Sequence, residues 1–230
     1  MLGYTCQLYF DFSGYSNMAV GLGMMLGFRF PQNFDSPYKS KNISEFWRRW
    51  HMTLSFFLRD YLFIPLGGSR GGKYLTLRNL VIVMFLGGLW HGAGWTFVIW
   101  GLYHGAMLAV HSTSKDWLKW QMPKLVRIAV TFIGVVIGWV IFRSTSMEMC
   151  GSVLGAMCGF NGIESDLVWG VTSKAGWAVL GGMLAIVFLA PNIWQLKFRP
   201  NLLYAVCLSC LFVLCVLRFD AESPFLYFQF

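Results

Sequence analysis

One histidine, His91, stands inside a strongly apolar stretch of membrane-spanning length, from Leu80 to His104. Ionisable side chains at bilayer depth are costly, so they usually face a cavity or a partner and mark a functional site. Trp90 directly precedes the histidine and is a candidate for the wall of a pocket. Imidazole changes its charge near neutral pH, which suits a general base. The position is compatible with a catalytic base and also with a core histidine that is hydrogen-bonded to a neighbouring carbonyl.

A second histidine, His51, belongs to a segment whose periodicity predicts one amphipathic helix from Ser44 to Leu62, with Ser44 as its N-cap. Aromatic side chains, Trp50 among them, fall on one side of this helix, and Arg48 falls on the other. Such a helix is expected to lie at an interface or to dip into the membrane. By itself His51 is compatible with an interfacial histidine. Arg48 is either a structural charge or a contact for a substrate phosphate.

Three further ionisable residues lie in apolar segments. Asp11 interrupts the run from Leu2 to Phe28, where it is either a structural acid with a hydrogen-bonded partner or a group that lines a reaction path. His104 and His111 are seven positions apart, which separates them by ~10.5 Å along a helix. That distance is too long for both to bind one metal ion, and no histidine motif of a metal site is present. We therefore predict no metal site.

The composition predicts an all-α, polytopic helical membrane protein. Of the 230 residues, 57% are hydrophobic and 12% are charged, whereas a soluble globular domain carries about 25% charged residues. The mean hydropathy is +0.57. The net charge of +8 is typical of cytoplasmic loops rich in Lys and Arg. Since the sequence contains no nucleic-acid-binding motif, we do not expect nucleic acid as a partner.

The long apolar run from Asn79 to His111 is predicted to be broken. As one straight helix its 33 residues would reach about 50 Å, which exceeds the ~30 Å hydrocarbon core. A break at Gly87-Gly88 or at Gly92-Ala93-Gly94 resolves the excess. Basic residues cluster on both sides of the run, which favours a segment that re-enters on the cytoplasmic side. Shorter apolar runs are predicted at Leu2–Phe28, Val126–Phe142, Met147–Phe160, Ala175–Ala190 and Leu202–Leu217.

Several motifs resemble the membrane-bound O-acyltransferase family. They are Asp11-Phe12-Ser13-Gly14-Tyr15-Ser16, Glu45-Phe46-Trp47-Arg48-Arg49-Trp50-His51 and Gly87-Gly88-Leu89-Trp90-His91-Gly92. The resemblance is continuous from about Tyr4 to Gly105. It is to the bacterial branch, which includes alginate O-acetylation proteins and the D-alanyl transfer protein of teichoic acid modification, and the alginate type is the more similar.

The resemblance implies which residues form the site. It makes His91 the catalytic histidine and His51 a second catalytic residue. Trp50, Trp90, Asp11 and Arg48 are the candidates for substrate contacts. We expect His51 and His91 to approach each other across a shared cavity, with a tryptophan near its wall.

The resemblance also implies the reaction and its setting. An acyl group, for which acetyl is the first expectation, would move from a cytoplasmic thioester such as acetyl-CoA, without a bound cofactor. The acceptor would be an extracytoplasmic polysaccharide, as in alginate biosynthesis, or a periplasmic acetyltransferase partner. The protein would be a multi-pass protein of the bacterial inner membrane, in contact with membrane lipid. D-alanyl transfer to teichoic acid, a transporter-like path and a non-catalytic membrane fragment are the alternatives.

Family members carry several more membrane helices before the Asp-Phe-Ser-Gly-Tyr motif. The resemblance therefore implies that residues 1–230 are the C-terminal part of a single membrane domain that is N-terminally incomplete. A full path for the substrate would need those additional helices as well.

Overall fold

The structure, a computed structural model, describes residues 1–117, 122–160, 174–197 and 201–217. Helices and turns make up all of the regular structure in these residues, and none of them lies in a β-strand. The all-helical prediction is therefore confirmed for the described part of the chain. The chain divides into two compact units, residues 1–190 and residues 191–230.

The helices follow the predicted apolar runs closely. In the first unit they are α1 (Leu2–Met25), α2 (Ile43–Trp47), α3 (Met52–Leu58), α4 (Lys73–His91), α5 (Trp95–Trp117), α6 (Lys124–Arg143), α7 (Met147–Met157) and α8 (Lys174–Leu189). A 3₁₀ turn (Pro37–Lys39) precedes α2, and a π-helical turn (Arg59–Phe63) follows α3. The second unit contains a 3₁₀ turn (Ile193–Gln195) and α9 (Leu202–Val216).

Two of these helices, α4 and α6, are long and apolar enough to cross a membrane. The helices α8 and α9 are apolar but shorter. Many large apolar side chains on the described helices are exposed, such as Leu22 on α1 and Val130 on α6. Exposed apolar surface on this scale is typical of proteins whose helices face lipid or further helices.

The long apolar run is broken into two helices that pack together as a hairpin, and the length argument had predicted the break. Helix α4 ends at His91, and α5 starts at Trp95. The break therefore lies at Gly92-Ala93-Gly94, whereas Gly87 and Gly88 remain helical. A Cβ atom on Gly92 would come within 2.8 Å of the Phe97 ring. A glycine is needed here because the chain turns back closely against the start of α5.

Glycines also allow α4 and α5 to pack with their backbones in contact. A Cβ atom on Gly88 would lie 2.3 Å from the carbonyl oxygen of Phe97. One on Gly101 would lie 2.4 Å from the carbonyl oxygen of Met84. Small residues at helix crossings let backbones approach in this way, and the gain is dispersion attraction along the whole interface. The hairpin therefore holds the C-terminal end of α4, and with it His91, against α5.

The prediction of one continuous helix from Ser44 to Leu62 is wrong. The structure has two shorter helices, α2 and α3, with a break at residues 48–51. The N-cap of α2 is Asn42, whose side-chain oxygen accepts the Glu45 N–H at 2.8 Å. The physical cause of the break is His51, which takes a left-handed backbone conformation with φ 43° and ψ 57°. Hydrophobic periodicity does not reveal such a single-residue reversal.

An aromatic core connects the elements around this break. Trp139 on α6 is 2% exposed, and its ring centroid lies 4.9 Å from that of Trp50. The Trp139 indole N–H donates to the Tyr38 hydroxyl at 3.1 Å, and that hydroxyl donates to the carbonyl of Thr5 at 2.9 Å. Aromatic pairs contribute about 0.5–1.5 kcal/mol each beyond burial. The core therefore fixes Trp50, and so also His51, which follows it in the chain.

Candidate active site

His51 is positioned by its own backbone as the N-cap of α3. Its Nδ1 accepts the N–H of Leu54 at 3.3 Å, so the hydrogen of the neutral ring is on Nε2. The left-handed conformation costs a residue other than glycine roughly 1–2 kcal/mol, and the cap offsets about 1 kcal/mol of this. Burial lowers the pKa of His51 to about 4, although an interaction with the backbone of His51 itself opposes this. At neutral pH, His51 is therefore a neutral ring that presents one N–H donor.

The start of α3 is completed by Asn33, a residue that the sequence analysis did not identify. The Asn33 carbonyl accepts the N–H of Met52 at 2.9 Å. Its side-chain oxygen accepts the Thr53 N–H at 3.2 Å and the Thr53 hydroxyl at 2.8 Å. The first N–H groups of a helix have no partner within the helix, and here Asn33 and His51 satisfy them together. The Asn33 amide also donates to the Ser16 hydroxyl at 3.3 Å, which ties α3 to α1.

His91, the last residue of α4, is held by rings. Its imidazole makes edge-to-face contacts with Trp90, Phe142 and Trp100 at centroid distances of 4.8, 5.0 and 5.3 Å. The ring is partly buried. Within the described part of the chain, neither of its nitrogens forms a hydrogen bond with another residue. His91 thus has a fixed ring plane and a nitrogen available to accept a proton.

The fold brings the two histidines into one region, although 40 positions separate them in the chain. The two imidazoles lie close enough to interact electrostatically. Ring contacts also link their surroundings, since Phe142, which touches His91, packs on Trp139, and Trp139 packs on Trp50. On the other side, Phe12 of α1 packs edge-to-face on His51 at 4.9 Å. The shared cavity that we expect between the rings stays a prediction.

The four predicted substrate contacts occupy different surroundings. Trp90 is 57% exposed beside His91, and Trp50 is 5% exposed within the aromatic core. Asp11 is partly buried on α1, next to Phe12, which packs on His51. Arg48 is exposed, and its guanidinium donates to the Ser44 hydroxyl at 3.0 Å. Of the four, Trp90 is in ring contact with a histidine that we predict to be catalytic, His91.

His104 is a buried neighbour of the site. It is fully buried on α5, with ring contacts to Trp100 at 4.8 Å and Trp47 at 5.2 Å. Neither of its nitrogens has a hydrogen-bond partner among the described residues. Trp100 contacts both His104 and His91. The four-residue spacing of Trp100 and His104, which puts both on one helix face, is the sequence signal that indicates this packing.

A comparison with protein families identifies the family of the chain that contains these two histidines. The family model described as MBOAT, membrane-bound O-acyltransferase family, matches residues 1–154. The chain belongs to the membrane-bound O-acyltransferase family. The match contains α1 to α6 together with both histidines, so the resemblance in the motifs is confirmed, and the chain is a member of an acyltransferase family.

Curated relatives cover the same region. The chain is 58% identical over 159 residues to a protein named probable alginate O-acetylase AlgI from Pseudomonas syringae pv. tomato, covering 69% of this chain and 31% of the relative. The namesake from Pseudomonas putida is 43% identical over 260 aligned positions, covering all of this chain and 52% of the relative. A peptidoglycan O-acetyltransferase from Helicobacter pylori is 50% identical over 166 residues, covering 71% of this chain and 32% of the relative. The chain thus spans about a third to a half of the length of these relatives.

Proposed function

We propose that this chain carries the catalytic part of an O-acetyltransferase of the bacterial inner membrane. The enzyme takes an acetyl group from a cytoplasmic thioester, acetyl-CoA, and passes it toward an extracytoplasmic polysaccharide or a periplasmic acetyltransferase partner. The names of the relatives support a glycan acceptor, since one relative is named for alginate and another for peptidoglycan. The observation that carries the proposal is the pairing of His51, a fixed N–H donor, with His91, a histidine whose nitrogens have no described protein partner.

In this mechanism, His91 is the general base. A nitrogen of its neutral ring accepts the proton from the acceptor hydroxyl as the oxygen attacks the thioester carbonyl. The C–O bond forms, and the carbonyl oxygen becomes negative in a tetrahedral intermediate. When the intermediate collapses, the C–S bond breaks, and the protonated His91 gives its proton to the leaving thiolate. The products are an ester and a free thiol, and His91 returns to its neutral form. A positioned base of this kind contributes about 10²–10⁴-fold in rate.

His51 suits a different step of the same reaction. Because its Nδ1 already accepts the Leu54 N–H, it has no free lone pair with which to act as a base. Its Nε2–H is a neutral donor that can bind the carbonyl oxygen and stabilise the negative charge that develops there. A donor fixed before the reaction does not have to reorganise, which is what makes such stabilisation large. The rings around the partly buried His91 limit the access of water, which would otherwise compete with the acceptor hydroxyl for the acyl group.

The test is His91→Ala in the intact protein, in cells that export the acetylated polymer. We expect the initial rate of acetyl incorporation to fall by about 10²–10⁴-fold, while the protein remains in the membrane at normal abundance. Leu89→Ala is the matched control, since Leu89 lies in the same last turn of α4 and is 39% exposed. Near-normal acetylation by His91→Ala would exclude the base assignment. Equal loss of acetylation and of protein would assign His91 a structural role instead.

A further inference from the structure

A cavity lies away from the histidine pair, between α5, α6 and the segment that leads into α2. Its volume is about 620 Å³, within the range of roughly 300–1,000 Å³ that is typical of small-molecule sites. Neither His51 nor His91 lines it. Its polar lining consists of Lys41, Asn42, Tyr103, His111, Ser114, Arg127 and Thr131, and its apolar lining includes Ile43, Ala106, Met107, Val110, Met122 and Val130.

The rim of this cavity is positively charged. Lys41 and Arg127 line it, and no Asp or Glu is found among the described lining residues. The nearby Glu45 carboxylate pairs with Arg49 at 2.9 Å through one oxygen. Its other oxygen accepts the backbone N–H of Lys41 at 2.9 Å, so it does not neutralise the Lys41 side chain. Within the described part of the chain, neither Lys41 nor Arg127 has an ion-pair partner. The two cations are therefore available to an anionic ligand.

The apolar floor of the cavity is formed by Met107 and Val110 on α5 and by Val130 on α6. It is open on one side, since Val110 is 66% exposed and Val130 is 55% exposed. A ligand that satisfies the rim and the floor at once has an anionic head and an apolar chain. Free inorganic phosphate would leave this apolar surface uncovered, and a neutral lipid would leave the two cations without a partner.

The cavity also joins the two basic stretches of the sequence, residues 29–78 before the hairpin and residues 115–127 after the apolar run. Lys41 comes from the stretch before α4, and Arg127 comes from the one after α5. The α4–α5 hairpin returns the chain to the side from which it started, so both stretches meet at one end of the hairpin. An excess of Lys and Arg marks the cytoplasmic side, where basic pockets between membrane helices bind the head groups of anionic lipids.

We propose that this cavity binds an anionic phospholipid of the cytoplasmic leaflet. The phosphate lies between Lys41 and Arg127, and one acyl chain runs along Met107, Val110 and Val130. The inference rests on the membrane placement in the proposed function, but not on the catalytic roles of the histidines.

The packing between this cavity and His91 favours a lipid over the thioester donor. Among the lining residues, the Tyr103 hydroxyl donates to the carbonyl of Gly134 at 2.8 Å, which joins α5 to α6. Ring contacts run from Tyr103 through His104 and Trp100 to His91. Packed side chains thus lie between this cavity and the catalytic base, so a thioester bound here would not present its carbonyl to His91.

The experiment measures lipid retention by the intact protein in nanodiscs that contain phosphatidylglycerol and phosphatidylcholine, followed by extraction into detergent and quantification by mass spectrometry. We expect the wild type to retain phosphatidylglycerol selectively. The double variant Lys41→Gln/Arg127→Gln should weaken this retention by about ten- to thirtyfold, as estimated from two basic contacts at a membrane surface. Arg29→Gln/Arg70→Gln removes the same charge from exposed positions of the first basic stretch and should retain the lipid.

A variant that fills the apolar floor provides a second measurement. Val110→Trp keeps every charge of the rim, so loss of phosphatidylglycerol in this variant supports a cavity-bound lipid. Retention of phosphatidylglycerol at the wild-type level in both the double variant and Val110→Trp would overturn the proposal. Equal retention of the two phospholipids by the wild type would overturn it as well.

A competition arm separates the lipid from the acyl donor. Added coenzyme A should leave the retained phosphatidylglycerol unchanged. If coenzyme A displaced the lipid from the wild type but not from the double variant, the cavity would be a binding site for the acyl donor. That outcome would contradict the proposal. Because lipid retention needs no turnover, His91→Ala should retain the lipid even though it is inactive. A failure of the lipid proposal is thereby distinguished from a failure of the catalytic one.

Discussion

The two histidines of the candidate active site are positioned in opposite ways. His51 is held mainly by its own backbone, in a left-handed conformation in which its ring accepts the N–H of Leu54, and Asn33 supports the helix that it caps. His91 is held by ring packing at the end of α4, against its neighbour Trp90 and against rings that come from α5 and α6. One of the two His51 nitrogens is committed to the backbone, whereas those of His91 have no partner in the described residues. The difference supports the proposed division of labour, in which His51 is a fixed donor and His91 is the group that exchanges a proton.

We expect the largest loss of stability from a substitution at the contact between the backbones of α4 and α5, which supports His91. In Gly101→Leu, the new Cβ would lie 2.4 Å from the carbonyl oxygen of Met84 and 3.1 Å from the Cα of Phe85. Backbone atoms cannot rotate away, so α4 and α5 must separate. We expect the free energy of unfolding to fall by about 3 kcal/mol or more, with loss of membrane abundance and of all activity. Thermal unfolding in mild detergent measures this.

Gly181→Ala is the control for the hairpin. Gly181 lies on α8, and a Cβ atom there meets nothing within 4 Å. Alanine has the higher helix propensity, so this change should leave the stability unchanged or raise it by up to about 1 kcal/mol. If Gly101→Leu were as stable as Gly181→Ala, tertiary packing could not be what positions His91.

The second effect separates the two tasks of His51, capping and chemistry. Asparagine adopts the left-handed conformation more readily than most residues and is a good N-cap. His51→Asn should therefore fold normally while losing the Nε2–H donor. We expect the rate of acetylation to fall by about 10²-fold, or ~2.7 kcal/mol, the typical loss for one donor to a developing oxyanion. The measurements are the initial rate of acetyl incorporation and the melting temperature.

His51→Ala completes this experiment, because alanine lacks the cap and fits the left-handed conformation poorly. Its melting temperature should fall as well as its activity, with a stability cost of about 0.5–2 kcal/mol that comes mainly from the lost cap. Full activity of His51→Asn would show that His51 serves only as a helix cap, and the donor assignment would be wrong.

The same contrast explains how much could be predicted from the sequence. That the apolar run is broken followed from its length, since 33 residues are too long for one span. The glycines left two positions open, and the structure has the break at the second, Gly92-Ala93-Gly94. His91 became a candidate through its position in an apolar run, whereas His51 became one because its motif resembles that of a family. The helix from Ser44 to Leu62 was mispredicted because a left-handed residue leaves no trace in hydrophobic periodicity. Asn33 was missed because its partner, Thr53, lies 20 positions away and only the fold brings the two together.

Trp50 and Trp90 show the same limit. Both precede a histidine, so the sequence gives them equal claims to the wall of a pocket. The structure buries Trp50 among the rings of Trp139 and Phe46, and it leaves Trp90 exposed beside His91. Which neighbours surround a tryptophan is decided by helix packing between distant segments, and no local pattern contains that information.

The smallest expected effect concerns the support of α3 by Asn33. In Asn33→Ala the Thr53 N–H and hydroxyl both lose their acceptor, and one hydrogen bond of this kind is worth about 1 kcal/mol net. We expect the free energy of unfolding to fall by about 1–2 kcal/mol, because water can replace part of what is lost at this partly buried position. Acetylation should fall only a few-fold, since the His51 cap on Leu54 remains.

Ser16→Ala is the control for this prediction. It removes only the acceptor of the Asn33 amide at 3.3 Å, so both the stability and the rate of acetylation should fall less than in Asn33→Ala. If Asn33→Ala impaired acetylation as strongly as His51→Asn without lowering the melting temperature, Asn33 would belong to the catalytic machinery, and the view of His51 as a residue held mainly by its own cap would have to be given up.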